Sequence, residues 1–171
     1  MAYIHSFPPV SEPAADRLIL GSMPGKASLA ANQYYAHPRN LFWRFIEALF
    51  GIQADLPYSQ RCRRLAREGV SLWDVLRTCT RSSSLDSDIV EGSIIAQDFE
   101  GFLRAHPRIG VIFFNGAKAE SVYLRHVRPA LPDDLAAIPT VRLPSTSPAN
   151  AAIPYPVKLR QWQAISTVKS R

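Results

Sequence analysis

Short unbroken apolar runs alternate along this chain with longer stretches in which apolar residues return every third or fourth position. Leu18-Ile19-Leu20 is the first such run, and with Gly21 and Pro24 ending it, residues 16–20 read as a buried strand. Phe42, Phe45, Ile46, Leu49 and Phe50 follow at helical spacing, so the segment from Asn40 predicts a helix with one face on the core, stopped by Gly51. A second helix is expected after Pro57, with Arg61, Arg63, Arg64 and Arg67 on or near its exposed side. Residues 70–76 predict a second strand that opens into a polar loop over residues 78–88. A helix around residues 98–105, a strand at 109–114, a helix from about Ala117 with Val122 and Val127 inward, and a strand at 140–143 come next. The last helix carries Leu159, Trp162, Ile165 and Val168.

Strands near positions 18, 72, 111 and 141, separated by helical segments, predict an α/β chain with a largely parallel sheet between helices. Such sheets bind ligands at the carboxyl ends of their strands. Those ends are residues 21–25, 78–88, Asn115-Gly116 and 144–150, which are also the four junctions richest in polar residues, Gly, Pro and Ser. The candidate site therefore has a place before any motif is considered. With 171 residues and no internal repeat or long linker, one domain over 1–171 is expected.

Charge adds a partner class. Twenty Lys plus Arg against fourteen Asp plus Glu give a formal net charge of +6, which suits a polyanion or simply a solvated basic surface. Cys62 and Cys79 are too few for a disulfide framework and read as free thiols of a cytoplasmic protein. No apolar run approaches the roughly 20 residues needed to span a bilayer, so no membrane association is expected. The four histidines show no zinc-ligand spacing, and neither metal nor cofactor is expected.

The turn Gly21-Ser22-Met23-Pro24-Gly25-Lys26 falls short of a triphosphate loop, because three residues rather than four separate its glycines and Ala27 follows the lysine. Its backbone N–H groups can still receive one phosphate or a base carbonyl, or the turn can serve without a ligand. Together with Tyr34-Tyr-Ala-His-Pro-Arg-Asn-Leu-Phe-Trp43, Phe114-Asn-Gly116 and Leu143-Pro-Ser-Thr-Ser-Pro-Ala-Asn150, it resembles the uracil-DNA glycosylase superfamily. Within that superfamily the chain is similar to the hypoxanthine-DNA glycosylase branch, which is related to the mismatch-specific uracil/thymine glycosylases.

That resemblance implies a three-layer α/β/α sandwich with a four-stranded, largely parallel central sheet. The activity it implies is hydrolytic excision of a deaminated base, hypoxanthine in preference to uracil, from double-stranded DNA by a monomer. Gly21, Ser22, Met23, Pro24 and Gly25 would lie beside the flipped nucleotide, with Tyr34, Tyr35, His37 and Phe114 in the pocket wall and one of the two tyrosines in the core. Many members carry Asp or Asn at the third position of the first motif to position water, whereas this chain has Met23, whose thioether cannot orient or deprotonate water. The resemblance then puts Asn40 at the water and Asn115 at the base edge, although each also suits a helix-start or turn position. Ser145, Thr146, Ser147 and Asn150 would hold phosphates, with Arg81 beside them. Asp86 would orient a neighbour or cap a helix. Residues 149–152 offer no large side chain to wedge into the duplex. Lys26, in an exposed turn, does not match a Schiff-base position, which points to hydrolysis without strand cleavage. A non-catalytic nucleic-acid-binding module of the same fold and an enzyme acting on free nucleosides remain open as alternatives.

Overall fold

Strand β2 (Arg17–Gly21) is buried along its whole length, which requires apolar residues on both faces rather than an alternating pattern. The structure, a computed structural model, describes residues 2–168. In it β2 lies second in a four-stranded sheet with β3 (Val70–Asp74), β6 (Ile112–Asn115) and β7 (Thr140–Leu143), ordered β3-β2-β6-β7. Every pairing is parallel. Leu18, Leu20, Ile112 and Phe114 face a core built with α4 (Phe99–Ala105) and α5 (Ala117–His126). Ile19, Leu72 and Phe113 face the opposite core, made with α2 (Phe42–Phe50), α3 (Tyr58–Arg67) and α7 (Tyr155–Trp162). Helices on both faces of the sheet give the three layers expected.

Register decides what gathers at the carboxyl ends. Gly21 is opposite Asp74 and Asn115 is opposite Leu143, so the polar residues that end these apolar strands emerge side by side. Helix α2 is pinned beneath them by Phe42, Phe45 and Ile46, all fully buried. Burial of such side chains contributes about 1.5–3 kcal/mol each, enough to fix the turn that precedes the helix.

Two expectations are corrected. The strand expected over 70–76 breaks after Asp74: Val75 N–H donates to Gly21 O (2.8 Å) and Leu76 N–H to Ser22 O (3.1 Å), which pulls the chain out of the parallel ladder. Residues 78–81, expected in a loop, instead belong to β4 (Leu76–Arg81). That strand joins β1 (Ala2–His5) and β5 (Ile95–Ala96) in a separate antiparallel sheet ordered β1-β4-β5. Two short helices, α1 (Lys26–Ala31) and α6 (Asp133–Ala136), also escape the pattern because six and four residues are too few to display a helical period. Among the described residues no helix is long and apolar enough to cross a membrane.

Candidate active site

A cavity of about 330 Å³ opens at the carboxyl ends of the parallel strands. Its wall brings together Gly21, Ser22, Met23, Pro24, Gly25, Tyr34, Tyr35, His37, Asn40, Asn115, Ser145, Thr146, Ser147 and Asn150, all expected there. It also contains Asp74 and the segment Ser84-Leu85-Asp86-Ser87. Two expected residues lie elsewhere. Phe114 is fully buried on the α5 side of the sheet, 5.2 Å from the Tyr123 ring, because strand alternation turns it away from the side that Phe113 faces. Arg81, expected at phosphate, is only 2% exposed, since it closes β4 rather than opening a loop, and its Nη2 donates to Pro24 O (2.5 Å) beneath the 21–25 turn.

One side of the cavity is built from neutral amides and hydroxyls. Asn115 Nδ2 donates to Thr146 Oγ1 and Asn115 Oδ1 accepts from Thr146 N–H, both at 2.9 Å, so β6 clasps the 144–150 loop through a reciprocal pair. Gly116, at φ +97°, permits the close approach, since a Cβ there would sit 3.0 Å from Ser145 Cβ. Thr146 O accepts from Leu41 N–H (3.0 Å), tying the same loop to the start of α2. Farther along, Asn150 Nδ2 donates to Ser145 O (3.2 Å), and buried Lys158 donates to Asn150 O. Burial pushes the Lys158 ammonium pKa down. Asn40 Oδ1 accepts from Phe42 N–H (3.0 Å), which serves the helix start, while its NH₂ borders the cavity without a hydrogen-bond partner among the described residues.

The other side is ionisable. Asp74, at the end of β3, is 3% exposed, and Ser6 Oγ donates to its Oδ2 (2.7 Å). Burial pushes its carboxyl up to about 7; neighbouring Asp86 adds to the rise, whereas the Ser6 hydrogen bond and Arg81 oppose it. Ser22 Oγ donates to Asp86 Oδ1 (2.6 Å), and burial again raises that carboxyl against the pull of Ser22, Arg81 and Lys118. Arg81 thus sits as a buried cation behind two acids, Asp74 buried and Asp86 at the exposed loop. Lys26 N–H donates to Ser84 Oγ (2.9 Å), which joins the 21–25 turn to the serine loop.

Both tyrosines border the cavity, and Tyr34 is in addition a buried core residue. Tyr34 is 3% exposed, its Oη donates to Pro8 O (2.9 Å), and its carbonyl accepts from Trp43 Nε1 (2.9 Å). Tyr35 adopts φ +57°, a backbone region unusual for a bulky residue, and lays its ring on Phe42 at 4.2 Å and 27°. His37 Nδ1 accepts from Arg39 N–H (3.1 Å) within the turn before α2.

Sequence reading missed Asp74 and Leu85. Asp74 is the sole acid in the run Val70-Ser-Leu-Trp-Asp-Val-Leu76, a signal visible only if the strand is known to end there. Leu85, at 49% exposure, is a large apolar side chain at the rim.

Comparison with known proteins gives concordant matches. A family model described as the uracil DNA glycosylase superfamily matches residues 8–165. The chain is 37% identical over 114 residues to a hypoxanthine DNA glycosylase of Methanosarcina acetivorans, covering 66% of this chain and 71% of that one. It is 35% identical over 114 residues to a hypoxanthine DNA glycosylase of Methanosarcina barkeri, with the same coverage of 66% and 71%. A solution NMR structure from Methanosarcina acetivorans, named as a candidate uracil DNA glycosylase, superposes with a TM-score of 0.80 at 32% identity, covering 96% of this chain and 97% of that one.

Proposed function

The chain belongs to the uracil DNA glycosylase superfamily, and on that footing we propose that it is a monofunctional DNA glycosylase that flips a deaminated base, hypoxanthine before uracil, out of duplex DNA and hydrolyses its N-glycosidic bond. The observation that carries this reading is the cavity at the strand ends, where amides, hydroxyls and two carboxyl groups surround a space suited to one flat base.

Departure of the base leaves an oxocarbenium-like sugar, so water held on the correct face suffices as nucleophile. Asn40 holds that water: its Oδ1 keeps a second lone pair beyond the one given to Phe42 N–H, and its NH₂ is open to the cavity. Asn115 places the Ser145-Thr146-Ser147 hydroxyls for phosphate through its clasp on Thr146, leaving one N–H and one lone pair for the base edge. Leu85 supplies the apolar wedge that the 144–150 loop lacks, flanked by serines short enough to let phosphate approach. The lysine in the cavity wall, Lys26, is exposed at the rim, which supports hydrolysis rather than a Schiff-base route.

The experiment is incubation of the purified protein with duplexes carrying hypoxanthine, uracil or xanthine, followed by alkaline cleavage of abasic sites. Hypoxanthine should be released fastest, strands should break only after alkali, and borohydride should trap no covalent adduct. Absence of abasic sites from every duplex would overturn the reading. Competition by free nucleoside as strong as by duplex DNA would do the same.

A further inference from the structure

Helix α7 braces the 144–150 loop from behind at both of its ends. Trp162 Nε1 donates to Pro144 O (2.9 Å) and Lys158 Nζ donates to Asn150 O, from side chains one helical turn apart on the same face of α7. The remaining anchors of this loop are neutral: the amide of Asn115 on Thr146, and the Leu41 N–H that reaches Thr146 O. Lys158 is the exception. At 2% exposure it carries an ammonium group into the interior, where no carboxylate among the described residues offsets the desolvation that pulls its pKa down. A neutral donor would satisfy the Asn150 carbonyl at less cost, because a buried charge is expensive unless an opposite charge meets it.

The peptide that joins Asn150 to Ala151 carries this charge outward. No peptide bond among the described residues is cis, so the Ala151 N–H points opposite to the carbonyl that Lys158 holds, away from the buried ammonium. Ala151 is exposed, and its N–H has no hydrogen-bond partner among the described residues. Its neighbours are already committed: Ser147 N–H donates to Ser145 Oγ (3.2 Å), Ala149 N–H to Ser147 Oγ (3.2 Å) and Asn150 N–H to Ser147 O (3.0 Å). A cation on the carbonyl oxygen polarises the peptide and strengthens the N–H at its other end as a donor.

We propose that Lys158 is the positioning residue that gives the 144–150 loop its charge-based hold on DNA, relaying its positive charge through the peptide between Asn150 and Ala151 to a backbone phosphate beside the flipped nucleotide. This rests on the glycosylase reading, which has the hydroxyls of this loop at phosphate, and supplies the charge that Ser145, Thr146 and Ser147 lack. Arg81, the other buried cation near the cavity, is engaged with Pro24 O and faces Asp74 and Asp86, so its charge is answered within the protein. The charge of Lys158 is not. A docking phosphate is the missing anion, and because the ammonium is already desolvated in the fold, that part of the cost of binding is met in advance.

Duplex affinity measured by fluorescence anisotropy from low to moderate salt, beside single-turnover release of hypoxanthine at saturating protein, tests the relay in the wild type, Lys158→Met, Lys158→Gln, Lys158→Arg and Trp162→Phe, each shown folded by circular dichroism. Lys158→Met should bind the duplex about tenfold more weakly at low salt, with a logarithmic salt slope shallower by about 0.9, the loss of one neutralised phosphate. Lys158→Gln, which keeps a donor for Asn150 O and removes only the charge, should show the same shallower slope, and Lys158→Arg should restore the wild-type one. Release at saturation should change by less than about threefold in these variants, since the lost interaction is made equally before and during base departure. Trp162→Phe loosens the other end of the loop without altering charge, so it should keep the wild-type slope whatever its affinity. A wild-type slope in both Lys158→Met and Lys158→Gln would overturn the relay, reduce Lys158 to a mechanical anchor and leave the glycosylase reading standing. A wild type that binds duplex with the expected slope yet releases no base would overturn the glycosylase reading instead.

Discussion

The two sides of the cavity solve the same positioning task by opposite means. On one side Asn115, Thr146, Ser145 and Asn150 are neutral and lock one another through paired hydrogen bonds, so their geometry is independent of pH. On the other, the buried Asp74 and the more exposed Asp86 are acids steadied by Ser6, Ser22 and Arg81, and their charge depends on the medium. The amide side is a fixed frame and the acid side a state. An enzyme lacking an acid or amide at Met23 thus still holds carboxyl groups in its site, delivered by β3 and by the loop after β4 rather than by the first turn.

The contrast can be broken most forcefully through stability. A carboxyl raised in the fold from 3.8 to about 7 binds its proton more tightly folded than unfolded. The stability this gives is fully present below about pH 4 and is lost as pH rises to about 7. Asp74→Asn removes that loss and should gain on wild type by up to about 4 kcal/mol between about pH 4 and about pH 8. Urea unfolding at both pH values measures it, and a difference that stays constant with pH would contradict the buried, raised carboxyl.

A smaller effect is expected on the amide side. Asn115→Ala strands the Thr146 N–H and hydroxyl in a fully buried position, a loss of about 1–3 kcal/mol for each group left unsatisfied. Its penalty should be the same at acid and neutral pH, in contrast to Asp74→Asn. A penalty that tracks pH would erase the distinction between the two sides.

The mildest change lies at the rim. Leu85→Ala should slow release from a fully paired duplex by severalfold, less than about 1.4 kcal/mol, and leave release from single strands unaltered. Equal losses on both substrates would remove Leu85 from the task of opening the duplex.

Legibility in the sequence follows the same division. Strands β2, β6 and β7 and helix α2 were readable because continuous apolar runs and three-and-four spacing are local signals, and from them the strand ends that frame the cavity follow. Asn40, Asn115 and the 144–150 loop stand at those ends and could be named. Asp74 could not, since the break after it is imposed by Gly21 O and Ser22 O, acceptors more than fifty residues away. Arg81 misled for a related reason: serines beside it suggest an exposed loop, whereas pairing with β1 makes its segment a strand and buries it. Phe114 was misplaced by one step of strand alternation. Strands β1 and β5 gain their identity only from β4, their partner in space.

The most direct measurement is single-turnover release of hypoxanthine from duplex DNA by the wild type beside Asn40→Ala, each shown folded by circular dichroism and able to bind the duplex. Release by the wild type with at least about a tenfold loss in Asn40→Ala, equivalent to about 1.4 kcal/mol of transition-state stabilisation, is the expected result. Equal rates in the two proteins, or no release by either, would contradict the assignment of base excision to this cavity.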